Sequence, residues 1–211
     1  MTTLIIARHG NTFESGEKPR RVGARTDLPL TEKGRMQGRA IGLWLKENKL
    51  MPDVVYSSTL SRTVETAKLA VQETGVKQPV YQLAIFNEID YGPDEDKTED
   101  DVIARIGAPA IKAWDEHAIV PDGWKADPTA IIQNWVGFGH RIREHDDNEV
   151  ILAVTSNGIA RFAPHLTGDF EGFAATHDLK IATGALGILR YADGRWVVES
   201  WNIKPALPSI N

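Results

Sequence analysis

Three stretches of the chain share one order: a short unbroken apolar run, a tight polar segment, then apolar positions at helical spacing. Residues 4–7 (Leu-Ile-Ile-Ala) lead into Arg8-His9-Gly10-Asn11-Thr12. Residues 54–56 lead into Ser57-Ser58 and a helical pattern with Leu60, Val64, Ala67 and Val71 on one side. Residues 150–154 lead into Thr155-Ser156-Asn157-Gly158 and a further helical pattern. A strand that is apolar at every position is buried on both faces, which points to a parallel sheet covered by helices. Between the first two units, Thr31 opens a helix whose apolar side runs Met36, Ala40, Trp44. Residues 186–201 differ: two strand-like runs flank Ala192-Asp193-Gly194, a turn signal that predicts an antiparallel hairpin at a sheet edge. The class is α/β.

Between the second and third units lies a long segment, residues 93–149. Thr98-Glu99-Asp100-Asp101 reads as a helix cap followed by first-turn carboxylates, so the acidic run from Asp94 predicts a helix start rather than a metal site. Asp127-Pro128 is a second cap with proline at the first helical position. Ile131, Trp135, Phe138 and Ile142 then mark one helix face. Trp114 and Trp135 are expected to pack in the core, and Trp124 falls in a Pro/Gly-containing loop. The segment is expected to form a helical lid insertion in a single domain spanning 1–211, and lids select the remainder of a substrate.

Composition narrows the field. With 24 Lys+Arg against 29 Asp+Glu, the net charge of −5 lacks the basic excess of a nucleic-acid binder. No apolar run approaches the ~20 residues that cross a bilayer, so no membrane partner is expected. The absence of cysteine removes thiolate catalysis, Cys-ligated zinc, iron–sulfur clusters and disulfides together. Without a basic leader or a small-residue cleavage site near the first residues, the expectation is a cytoplasmic protein.

In open α/β sheets, ligands bind beyond the carboxyl ends of the strands, where this chain carries its densest polar chemistry. Arg8 and His9 follow the first strand, Arg62 sits in the first turn after the second, and Ser156 with Asn157 follows the third. Two arginines meeting helix-end N–H groups make a phosphate site, because the planar guanidinium binds phosphate oxygens bidentately and keeps its charge.

The segment from Leu4 to Thr12 resembles the opening of the histidine phosphatase superfamily, the phosphoglycerate-mutase-like proteins. Further similar segments follow in that family's order. They are Asp27-Leu28-Pro29-Leu30-Thr31, the run Val55 to Ala67 carrying Arg62, and Asn87-Glu88-Ile89-Asp90-Tyr91-Gly92. The resemblance implies a three-layer α/β/α sandwich around a mostly parallel sheet. It implies that His9 is the nucleophile that becomes a phosphohistidine, that Arg8 and Arg62 clamp the phosphate, and that Glu88 is the general acid. Asn11, Thr12 and Arg21 fall at positions that touch the phosphate or shape the pocket.

The chain departs from that pattern twice. Ser15 replaces an asparagine, and Ser156 stands where the family places its second histidine. Serine donates one hydrogen bond but brings no charge. Asn157, His165 and His177 are the groups available to compensate. The expected function is a phosphatase, without metal or cofactor, acting on a small phosphorylated metabolite. The alternatives are a phosphoglycerate-type mutase and a weakly active phospho-ligand binder. Assembly is left open, with a homodimer as one state.

Overall fold

The computed structural model describes residues 1–144 and 149–208. Six strands form one sheet in the order β3-β2-β4-β1-β5-β6. They are β1 (Thr2–Arg8), β2 (Val54–Ser57), β3 (Val80–Gln82), β4 (Val150–Thr155), β5 (Leu186–Ala192) and β6 (Arg195–Ile203). The first four pair in parallel, while β5 runs antiparallel to β1 and β6 antiparallel to β5. The hairpin read around Asp193 therefore lies at a sheet edge, as its turn residues predict.

Alternation along β1 divides the core into two layers. Ile5 and Ala7 join Val55, Leu152 and Val154 in a cluster with residues of helices α1 (Glu32–Glu47) and α2 (Ser61–Thr74). Leu4 and Ile6 face the other way, joining Ile151, Ala153 and the aromatic side chains of the long insertion. This is the three-layer sandwich. The insertion holds α3 (Glu99–Ile106), α4 (Ala108–His117) and α5 (Pro128–Arg143). Thr98 closes a reciprocal capping box with Asp101, and Asp127 caps α5. Trp114 and Trp135 are both core residues, 1% exposed. The insertion divides by role: α5 packs into the sheet-facing core, whereas Glu99 on α3 and Trp114 and Asp115 on α4 line the main cavity.

Two expectations from periodicity are corrected. Ala40 is buried as expected, but Met36 and Trp44 are only half-buried; the other buried residues of α1 are Gly34, Gly38, Ile41, Gly42 and Leu45. Glycines read as polar gaps in a hydrophobic pattern, yet here Gly38 and Gly42 let α1 approach α2 closely, and Gly34 lets it approach the Asn11 backbone. The helix after β4 is also short: α6 covers only Asn157–Ala160, and a 3₁₀ turn at Ala163–Thr167 follows. Pro164 in that turn has no N–H to continue an α-helix. A last helix, α7 (Phe170–Ala174), leads toward β5. No helix among the described residues is long and apolar enough to cross a membrane.

Candidate active site

The chain leaves β1 toward α1 on one face of the sheet and leaves β4 toward α6 on the other, so a crevice opens between their carboxyl ends. A cavity of about 830 Å³ occupies it, lined by residues that include Arg8, His9, Asn11, Thr12, Ser15, Arg21, Glu88 and Asn157. Residues distant in sequence thus meet in one place.

His9 is 6% exposed and anchored at both ring nitrogens. Nδ1 lies 2.8 Å from the Gly10 carbonyl oxygen, which accepts only, so Nδ1 carries the proton. Nε2 is then the lone-pair nitrogen, and it accepts from Arg62 Nε at 3.3 Å. Gly10 is required here: a Cβ on it would lie 2.2 Å from the Gly34 carbonyl oxygen at the start of α1. Burial, then the charges of Arg62 and Arg8, hold the His9 pKa well below the ordinary histidine value. In the free protein, the His9 ring signals should therefore keep their neutral, Nδ1–H pattern as pH falls through ~6.5. Imidazole ¹⁵N shifts assigned with His9→Asn check this, and protonation at or above 6.5 would refute it. The unfolded chain takes up this proton first. The contribution of His9 to stability is thus complete above ~6.5 and declines as pH falls below it.

Arg62, fully buried, holds the site together. Its guanidinium donates to the carbonyls of Thr26 (2.7 Å), Gly23 (3.2 Å) and Val22 (3.3 Å), and pairs with Asp27 at 3.3 Å. Asp27 also accepts the Ser61 N–H at 2.8 Å, satisfying a donor at the start of α2, where Leu60 supplies no side-chain cap. Arg8 donates to the Ile181 carbonyl at 2.8 Å, and its buried Nε has no partner among the described residues. Burial lowers the pKa of both arginines, Glu88 opposes this, and both remain cations.

Glu88, 6% exposed, accepts the N–H of Ile89 at 2.9 Å and of Gly158 at 3.0 Å. A Cβ on Gly158 would sit 2.2 Å from Glu88 Oε1, so glycine is what lets the carboxylate reach α6.

The remaining candidates divide. The Asn157 amide oxygen accepts from Ile181 N–H at 3.0 Å, which assigns its orientation and turns the NH₂ donor toward other partners at the cavity wall. Asn11 is held by Thr183 and lies beside Gln37, whose Oε1 accepts the Asn11 N–H at 2.8 Å. Thr12 and the exposed Ser15 line the wall. Arg21 pairs with Glu99 at 2.7 Å and stacks 4.9 Å from the Trp124 ring centre. Ser156 is fully buried, is absent from the cavity wall, and its hydroxyl has no partner among the described residues. An unsatisfied buried hydroxyl is a cost, so Ser156→Ala should raise stability by about 0.5–1 kcal/mol and leave kcat within about threefold. Urea midpoints and steady-state rates measure both; a large fall in kcat would make the hydroxyl a hydrogen-bond donor to the phosphoryl group. His165 and His177 do not compensate. They stack on Phe170 (3.9 Å) and Phe173 (4.6 Å), outside the cavity wall.

Tyr91 and Arg161 are among the cavity residues that escaped the sequence reading. Tyr91 lies beside Glu88, and Arg161 comes just after α6. The signal for Arg161 was a lone cation within the apolar run Ile159-Ala160-Arg161-Phe162-Ala163.

The sequence profile of the Histidine phosphatase superfamily (branch 1) matches residues 4–204. The 2,3-bisphosphoglycerate-dependent phosphoglycerate mutase of Clavibacter michiganensis is 32% identical over 120 residues, 56% of this chain and 47% of that protein. The chain thus spans about half the length of the curated relatives that head the comparison. The protein of the same name from Brucella ovis is 31% identical over 160 residues, 74% of this chain and 76% of that one. Among solved structures, phosphoserine phosphatase from Entamoeba histolytica in complex with phosphoserine superposes with a TM-score of 0.76 at 19% identity, covering 96% of this chain and 97% of that one. Mycobacterial glucosyl-3-phosphoglycerate phosphatase gives 0.77 at 20% identity, covering 96% and 99%. These two likenesses concern the fold.

Proposed function

Since the chain belongs to branch 1 of the histidine phosphatase superfamily, we propose that it hydrolyses a small phosphomonoester through a phosphohistidine formed on His9. One observation carries the reading: a buried, neutral imidazole on the cavity wall whose Nε2 is left without a proton and lies within hydrogen-bond reach of the Arg62 guanidinium. Nε2 attacks phosphorus in line, forming the P–N bond as the ester P–O bond breaks. Arg8, Arg62 and the Asn157 amide face the charge spread over the equatorial oxygens. Glu88 gives its proton to the departing oxygen. In the second step its carboxylate takes a proton from water as that water attacks phosphorus. The P–N bond breaks, inorganic phosphate leaves, and neutral His9 and protonated Glu88 are restored.

Water has a path to the intermediate. Residues 14–20, which supply one side of the cavity, are exposed throughout, and that favours hydrolysis over return of the group to a second hydroxyl. The mutase reading stands second because curated relatives at 31–32% identity carry that name. Phosphate release from 4-nitrophenyl phosphate, set against isomerisation of 3-phosphoglycerate, separates the two. Isomerisation exceeding release would reverse their order, and neither activity would leave a phospho-ligand binder.

The acid has its own signature. Glu88→Gln should lower kcat by about 10²-fold on an alkyl phosphate, whose alkoxide needs a proton. It should cost far less on 4-nitrophenyl phosphate, whose phenolate leaves without one. Equal losses on the two esters would move the acid to another group.

A further inference from the structure

The charge at the inner end of the cavity exceeds what holding one phosphoryl group requires. Arg8 and Arg62 stand at His9, whereas Arg161 enters the same cavity from the end of α6. Its side chain is 1% exposed. One of its five N–H donors is engaged, from Nη1 to the Trp114 carbonyl at 2.5 Å. The guanidinium carbon lies over the Trp114 ring, 3.8 Å from its centre. The nearest carboxylate, Asp115, is half-exposed and 3.7 Å away, beyond hydrogen-bond range. Nε is buried with no partner among the described residues. Glu88 and Tyr91 line the same cavity, so this guanidinium shares a compartment with the acid. Arg21, the neighbouring cation, already has a carboxylate in Glu99, whereas Arg161 has none within hydrogen-bond range.

Size agrees with charge. The cavity of about 830 Å³ lies in the range of whole small-molecule sites and far exceeds one phosphoryl group. It runs from His9 to Trp114, Asp115 and the exposed Lys180 at its rim. A planar cation stacked on an indole is held in one orientation, which suits it to a carboxylate or phosphate held by two N–H groups.

We propose that Arg161 is a specificity-determining residue that binds a second anionic group, a carboxylate or a second phosphate, on the leaving-group side of the substrate. The substrate class is then a small phosphomonoester bearing two anions, and the inference rests on the phosphatase reading for its chemistry. Trp114 serves as the wall that orients the guanidinium.

The test compares phosphate release from three esters: glycerol 3-phosphate, with no second anion; 3-phosphoglycerate, with a carboxylate; and propane-1,3-diol bisphosphate, with a second phosphate. Wild type should prefer at least one doubly charged ester by about tenfold or more in kcat/KM, and which one it prefers identifies the anion. Arg161→Met should collapse that ratio to near one, and Arg161→Lys should retain part of it, since the charge stays and the planar fork is lost. A ratio of rates does not depend on the folded fraction, so partial misfolding of a variant leaves it readable. Wild type that uses all three esters equally overturns the proposal, and so does a ratio unchanged in both variants.

Calorimetric binding of the same compounds to His9→Ala, with and without Arg161→Met, keeps the two readings apart. Arg161-dependent binding without phosphate release by wild type from any ester, 4-nitrophenyl phosphate included, would uphold this subsite and reject hydrolysis. Hydrolysis combined with Arg161-independent binding would do the reverse.

Discussion

Replacing His9 by alanine should reduce turnover by about 10⁴-fold or more, the scale seen when a covalent nucleophile is removed. The substitution deletes the only imidazole on the cavity wall among the described residues, one with a lone pair at Nε2, a neutral ring, and an arginine Nε 3.3 Å away. No neighbour can substitute. Ser156 is off the cavity wall, and His165 and His177 are committed to aromatic stacks. Wild type quenched during turnover with a ³²P-labelled ester should carry an acid-labile, base-stable label that His9→Ala lacks. Retained label or retained turnover in the variant would remove His9 from the mechanism.

Arg62→Met should injure chemistry and folding together. Losing a fixed cation beside the transferring group costs about 10²–10³ in kcat by analogy with other electrostatic donors. The same change leaves the carbonyls of Val22, Gly23 and Thr26 without their donor and Asp27 without its cation, although Asp27 is 38% exposed and can turn to water. With solvent making up part of the loss, about 2–4 kcal/mol of stability should disappear. In a chain of this size that lowers Tm by roughly 5–15 °C. Thermal unfolding and steady-state rates on one preparation read both effects. A variant as stable as wild type but inactive would show that the carbonyl contacts contribute little and that Arg62 serves chemistry alone.

Much of this architecture was legible along the chain because its signals are local and periodic. Strands buried on both faces read as continuous apolar runs, which located β1, β2 and β4. Thr98 and Asp127 announced their helices, since a cap acts on the next three residues. His9, Arg8 and Arg62 could be named because strand ends in a parallel sheet open onto one crevice, and Glu88 through the family resemblance; Arg8, His9 and Glu88 line the cavity, while Arg62 is buried behind it against His9. The face of α1 was misread because close approach through Gly38 and Gly42 to α2, and through Gly34 to the Asn11 backbone, carries no hydrophobic signal.

The remainder depended on tertiary contact. The proton on Nδ1 of His9, and so the nitrogen that can attack, follows from a carbonyl acceptor on one side and an arginine 53 residues away on the other. Glu88 reaches its place through a backbone N–H 70 residues distant, and only because that residue is glycine. Ser156, at the expected position for a catalytic group, turns away from the cavity wall, while Arg161 turns in. Residue type and spacing specify which chemistry is present. Which side chains share a cavity depends on burial and packing between segments far apart in the chain, and no local pattern encodes that.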